Sequence, residues 1–241
     1  ARTSGYELPS LMDGDVQLFG ASGGPITLGA ATTINGALDV STNMVLITSA
    51  ANMLTIGNSA SAAISAASFQ SGGVQGPMRR TIPAGANVGT WVFPIVKGGN
   101  QYYLSIVNPT TAGGAVVEAE AFNVSSGGSA DGTTISSGSF STTEYWQASV
   151  FSGSFTSGFM QVGKTGLIGS NIIGSSTTLS GVYSSNGANT YNGVPTPPTL
   201  TRTVVNNLAT TTYFAVGTTT LTYYYVSGAA NTPGNWNTTI G

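Results

Sequence analysis

The chain contains no cysteine and no histidine, and charge of either sign is scarce. Without cysteine there is neither a disulfide framework nor a thiolate metal site. Without histidine the commonest general base and the commonest nitrogen ligand are both missing, and no Ser–His–Asp triad can be assembled. Lys, Arg, Asp and Glu make up 6% of the 241 residues, against about 25% in ordinary soluble domains. The six basic residues, Arg2, Arg79, Arg80, Lys97, Lys164 and Arg202, form no stripe beyond one adjacent pair, so nucleic acid is not an expected partner. No run approaches the ~18 apolar residues of a membrane helix, and no membrane insertion is expected. Residues Ala1 to Tyr6 lack the basic start and apolar stretch of a signal peptide; if the chain is secreted, its leader has been removed.

What remains is 40% hydrophobic residues, 34 glycines and a coat of Ser, Thr and Asn. Such a coat does little to repel neighbours, and chains near zero net charge tend to associate; here the net charge is −2. Apolar residues recur with period two, which predicts an all-β fold. Between residues 15 and 70 they come in pairs: Val16/Leu18, Ile26/Leu28, Leu38/Val40, Val45/Ile47 and Leu54/Ile56, with Ile64 following. Residues two apart on a strand share a face, so each pair can line one wall of a common core. That spacing suits a β-solenoid coil or a tight meander.

From residue 76 the character changes. Strands are expected around Trp91–Ile95, Gln101–Val107 and Ala115–Val124, then at 143–151, 158–163, 177–183, 199–206, 210–216 and 219–226. Together these predict an antiparallel β-sandwich. In the strand from Ala115, Val117, Ala119 and Ala121 share one face, and Val116, Glu118, Glu120 and Phe122 the other. Pro195-Thr196-Pro197-Pro198 reads as a stiff connector or edge segment. The expected division is an N-terminal extension 1–14, a strand–turn repeat region 15–75 and a sandwich-like domain 76–241.

Gly76-Pro77-Met78-Arg79-Arg80-Thr81, followed by Val92-Phe93-Pro94-Ile95 and Gly98-Gly99-Asn100-Gln101-Tyr102-Tyr103, resembles the repeat-bearing surface proteins of Bacteroidetes. These are large secreted adhesin-like chains commonly exported by the type IX system. Asn35-Gly36-Ala37-Leu38-Asp39-Val40 is similar to their strand-and-turn repeat. Phe93-Pro94-Ile95-Val96-Lys97 matches one of their strands, with Val96 where glycine is commoner. Tyr223-Tyr224-Tyr225-Val226 with Asn235-Trp236-Asn237 resembles a short module of the same proteins. The resemblance covers 15–124 and 220–238; the C-terminal sorting domain of such cargo is not evident. It implies an extracellular, cell-surface location, adhesion or filament building, and no catalysis.

Candidate site residues are few. Glu118 and Glu120 point the same way from one strand, as a glycosidase pair would, or simply carry charge on a solvated face. Asp13-Gly14-Asp15 is a weak metal candidate that a short acidic turn explains equally well. Arg79 and Arg80 either meet a carboxylate of a neighbouring subunit or cover the sheet with one stem and solvate the other. The aromatic groups Tyr102/Tyr103, Tyr145/Trp146, Tyr213/Phe214, Tyr223–Tyr225 and Trp236 suit a subunit interface, with Trp146 and Trp236 as possible sugar-stacking platforms.

The expectation is therefore a bacterial surface filament subunit, not an enzyme, with no cofactor and with copies of itself as partner. Open sheet edges in a charge-poor chain invite strand addition. The expected donor is the N-terminal segment within 1–19, with Tyr6, Leu8, Leu11, Val16, Leu18, Phe19, Arg79 and Arg80 at the interface; the C-terminal choice is 208–226. The alternative is a monomeric glycan- or host-binding adhesin domain.

Overall fold

In the computed structural model the described residues are 8–18, 24–40, 44–64, 72–185, 189–195, 197–206, 208–219, 224–225 and 236–237, with backbone alone at 203–206, 224–225 and 236–237. They are all-β: no α-helix occurs among them, only a single 3-10 turn at Ser61–Ala63.

The first coil is built from β1 (Leu11–Met12), β2 (Val16–Leu18) and β3 (Ile26–Thr27). The second comprises β4 (Thr32–Ile34), β5 (Leu38–Val40) and β6 (Val45–Ile47), and the third opens with β7 (Leu54–Ile56) and ends with β8 (Gly73–Gln75). All pairings run in parallel, as β1–β4–β7, β2–β5 and β3–β6–β8. A meander would pair successive strands antiparallel, so of the two expected arrangements the chain adopts the solenoid-like one. Leu38, Val40, Leu54 and Ile56 point inward and are essentially fully buried, as their spacing requires. In β6 the phase differs from the expectation. Leu46 is buried while Val45 and Ile47 are half-buried, because Met44 to Ile47 is an unbroken apolar run in which either face qualifies.

The sandwich follows: β9 (Met78–Ile82), β10 (Gly85–Ala86), β11 (Thr90–Phe93), β12 (Val96–Lys97), β13 (Asn100–Phe122), β14 (Ser129–Ala130), β15 (Tyr145–Lys164), β16 (Asn171–Ser176), β17 (Val182–Tyr183), β18 (Asn189–Asn192), β19 (Thr199–Asn206) and β20 (Thr212–Thr218). Strands β13 and β15 pair antiparallel along most of their length and bend where their register shifts, between Val107 and Ala115. Each replaces two expected strands. Asn108-Pro109 and Gly113-Gly114 do not end β13 but kink it: Asn108 takes φ 48° and Gly114 φ 88°, the conformations a bulge needs.

The kink folds one sheet into two facing layers. One layer joins β11, the first half of β13, the second half of β15, β19 and β18. The other joins β9, the second half of β13, the first half of β15, β20 and β16. Bonds cross between them: Trp146 Nε1 donates to Tyr102 O (3.3 Å) and Arg202 Nη1 to Ser175 Oγ (2.5 Å). The alternation expected for 115–122 is present, with Val117, Ala119 and Ala121 buried and Val116, Glu118, Glu120 and Phe122 half-buried. The strand expected at 177–183 is a turn over most of its length, with β16 ending before it and only Val182–Tyr183 extended. Pro195, Pro197 and Pro198 lie between β18 and β19.

Candidate assembly surface and buried polar groups

The two ends of the coil differ. Its C-terminal end is covered on every wall by the sandwich. On the first wall β7 pairs with β9, which pairs on with β13. On another, Val74 bridges Ile95, and its N–H donates to Pro94 O (2.7 Å). On the remaining wall Trp91 Nε1 donates to Ser59 O (3.1 Å) and Arg80 Nη2 to Ala60 O (2.9 Å).

At the N-terminal end β1, β2 and β3 are edges, with no further strand on them among the described residues. Hydrogen bonds alternate along a parallel strand, and Val16 N donates inward to Ala37 O (2.8 Å), so Gln17 turns its N–H and C=O to the open side. By the same alternation Leu28 N, bound to Ile47 O, sets Thr27 outward, and Met12 O, bound to Asn35 N, sets Leu11 outward. All three outward residues are exposed. The end of the coil is thus three short rows of unused main-chain groups around an apolar interior, the template that sheet edges offer another strand.

The residues expected as a donor are therefore already used by this chain. Leu11, Val16 and Leu18 lie in strands of the first coil, and Leu8 packs partly buried against the core. Tyr6 and Phe19 lie outside the described residues. The C-terminal choice, 208–226, is corrected for its central stretch: β20 is held between β15 and β16. Beyond it, β21 (Tyr224–Tyr225) pairs with β22 (Trp236–Asn237) in a ladder with no third strand among the described residues.

The acidic turn proves to be a stacking device. Asp13 Oδ1 accepts from Asn35 Nδ2 (2.8 Å) and Asp15 Oδ1 from the Ala37 N–H (2.7 Å), each partner 22 residues on. Gly36 is obligatory there, because a Cβ on it would lie 2.3 Å from Gly14 C and O. No cluster of three or more potential metal-ligating side chains occurs among the described residues.

Arg79 and Arg80 have opposite fates. Arg79 pairs with Glu118 on the neighbouring strand (2.8 Å), and its guanidinium lies 3.3 Å from the centre of the Phe151 ring. Arg80 is fully buried and donates to the carbonyls of Val92 (3.0 Å), Ala60 (2.9 Å) and Ser61 (3.3 Å). An interface role for Arg80 is corrected accordingly: both Nη groups donate inside the chain, and its Nε is buried with no partner among the described residues. Burial pushes its guanidinium down to about 9, so it stays charged at neutral pH.

Glu118 and Glu120 are each held by a cation, Glu120 by Lys97 (3.2 Å). Burial pushes the Glu120 carboxyl up, against the pull of Lys97. The third pair was not anticipated. Glu144, 3% exposed, accepts from Lys164 (2.5 Å), Ser141 (2.7 Å) and Thr143. Burial alone would raise its carboxyl, but these hydrogen bonds hold it below the ordinary value.

Trp146 is fully buried between the layers and presents no platform to a sugar, which corrects that expectation. Consecutive aromatics on a strand face opposite ways, and here both are buried: Trp146 in the main core and Tyr145 in a second apolar cluster on the other face. The side chain of Trp236 lies outside the described residues. No family model matches this chain, and no curated protein or solved structure matches it either.

Proposed function

We propose that this chain is an extracellular structural subunit that assembles with copies of itself by strand addition at the open end of its coil. The observation that carries the reading is the asymmetry just described: a coil sealed by its own sandwich at one end and bearing, among the described residues, three unpaired parallel edges at the other. A chain with 6% charged residues supports it, since little repulsion opposes such contact.

The incoming element we assign to the C-terminal ladder of β21 and β22. An isolated two-stranded ladder is at best marginally stable in water, and among the described residues no third strand joins this one, so docking on an open edge extends it. The ladder of each copy then meets the coil of the next, a heterologous contact that propagates into a filament.

The test is sedimentation velocity with negative-stain microscopy on the full chain and on Gln17→Pro. Proline removes an N–H that points outward and leaves the inward bonds of Val16 and Leu18 intact. End-to-end strings of the parent chain that disappear in the variant support the proposal. A parent chain that stays a single compact particle at high concentration overturns it. Strings that survive deletion of residues 220–241 remove the donor assignment alone.

A further inference from the structure

A cleft of about 430 Å³ opens on the side of the sandwich away from the coil junction, lined by Thr134, Ser170, Asn171, Ser185, Asn189 and Thr219 together with Gly169 and Ile172. Six of these residues carry a hydroxyl or an amide, Ile172 adds an apolar side chain, and none is charged. Its volume falls within the range of small-ligand sites.

The wall is preorganised. Thr134 Oγ1 donates to Asp131 Oδ2 (2.6 Å) and accepts the Ser185 N–H (2.8 Å). Ser185 Oγ accepts from Asn189 Nδ2 (3.2 Å), and Asn189 Oδ1 accepts the Ile173 N–H (3.0 Å). Across from it, Asn171 bridges the Ile168 N–H and Gly217 O (2.8 and 3.3 Å). These bonds fix the rotamers before any ligand arrives, which lowers the entropy cost of binding. They also leave capacity: the Ser185 hydroxyl hydrogen, the second Asn171 N–H, and the hydroxyls of Ser170 and Thr219. Ser and Asn side chains supply donors and acceptors together.

Beside the cleft stands Tyr191, on the same strand face as Asn189 and 37% exposed. It packs against two glycines: its Cδ1 lies 3.8 Å from where a side chain on Gly169, in the cleft lining, would begin, and its Cε1 3.1 Å from that point on Gly193. An apolar ring next to an uncharged donor–acceptor wall matches a sugar ring, whose C–H face is apolar and whose rim is hydroxyl.

We propose that this cleft binds a neutral saccharide, with Tyr191 as the stacking platform. Among the described residues the cation beside this wall is Arg202, opposite Asn189, and it is 3% exposed and engaged with Ser175, so it offers an acidic sugar no exposed counter-charge. The site is remote from Gln17 and does not depend on the assembly reading.

The experiment is saturation-transfer NMR and calorimetry on the full chain with maltotriose, cellotetraose, chitotriose and, as acidic control, trigalacturonate. At least one neutral probe should bind, should outcompete trigalacturonate, and should lose affinity about tenfold or more in Tyr191→Ala while Tyr191→Phe retains it. Tyr191 is exposed enough for the alanine variant to fold, which its parent-like melting temperature checks. Binding by none of the neutral probes, preference for trigalacturonate, or affinity unchanged in Tyr191→Ala would each overturn the proposal.

Discussion

Arg80 stands in register with Ile56, at the point where the inward row of Ile34 and Ile56 reaches the sandwich. A guanidinium thus takes the place of a third isoleucine in that row. The exchange has a physical reason. Where the coil stops, the carbonyls of Ala60 and Ser61 have no further coil to bond, and Val92 O faces them from the sandwich. Arg80 collects all three. Ala60 O keeps the Ala63 N–H (3.1 Å), so Arg80→Ala should cost about 2–4 kcal/mol through the lost donors to Ser61 O and Val92 O and a cavity. Arg80→Lys should recover less than half of that, since a single ammonium cannot reproduce the planar fork. Urea unfolding of the three proteins measures both.

Gly14 and Gly36 occupy equivalent places in successive turns but differ in what surrounds them. A Cβ on Gly36 would run into the Gly14 backbone, whereas one on Gly14 meets nothing within 4 Å. Gly36→Ala should destabilise by about 1–3 kcal/mol as an overpacked contact. Gly14→Ala should stay within about 0.5 kcal/mol of the parent. Equal effects in thermal melts would contradict the stacked arrangement.

Glu144 gives the chain an acid-sensitive tie. Its carboxyl titrates below its unfolded value of 4.5, so its contribution is full above that pH and is lost as pH falls through the lower folded value. Glu120, raised by burial, works in the opposite direction and favours the folded state on acidification. At neutral pH Glu144→Gln should cost about 1–3 kcal/mol. The gap in melting temperature between parent and variant should then narrow as the pH is lowered from about 6 to about 3. A gap independent of pH would show that the pair contributes through packing alone.

Trp146→Ala should act as a core truncation, costing about 3–5 kcal/mol. If the tertiary assignment is right, a melt registers this loss. Binding of a neutral saccharide by the protein that remains folded is then unchanged.

Much of the sandwich was legible because one wet face and one dry face write themselves into alternate residues. Val117, Ala119 and Ala121 against Glu118, Glu120 and Phe122 is such a case, and 199–206 matches β19 at both ends. The coil was legible only as paired apolar residues. Its repeat compares Leu11-Met12-Asp13-Gly14-Asp15-Val16-Gln17-Leu18 with Thr33-Ile34-Asn35-Gly36-Ala37-Leu38-Asp39-Val40, which share one identical residue, Gly14 with Gly36. The signal that would have found it is chemical: an Asp or Asn followed by glycine, repeated at a fixed interval. Tyr191 was overlooked because a lone aromatic among Asn, Thr and Gly looks like loop.

Composition and period two determined that this chain is all-β, charge-poor and without histidine or thiol chemistry, because those properties belong to residues one at a time or to near neighbours. Only the tertiary structure decided which strands pair, that Arg80 closes the coil from inside, that Trp146 is core, and that, among the described residues, the coil's first strands pair on one side alone. Pairing partners and burial depend on contacts between residues far apart in sequence, and an arginine or a tryptophan reads the same in sequence whether it faces water or seals a junction.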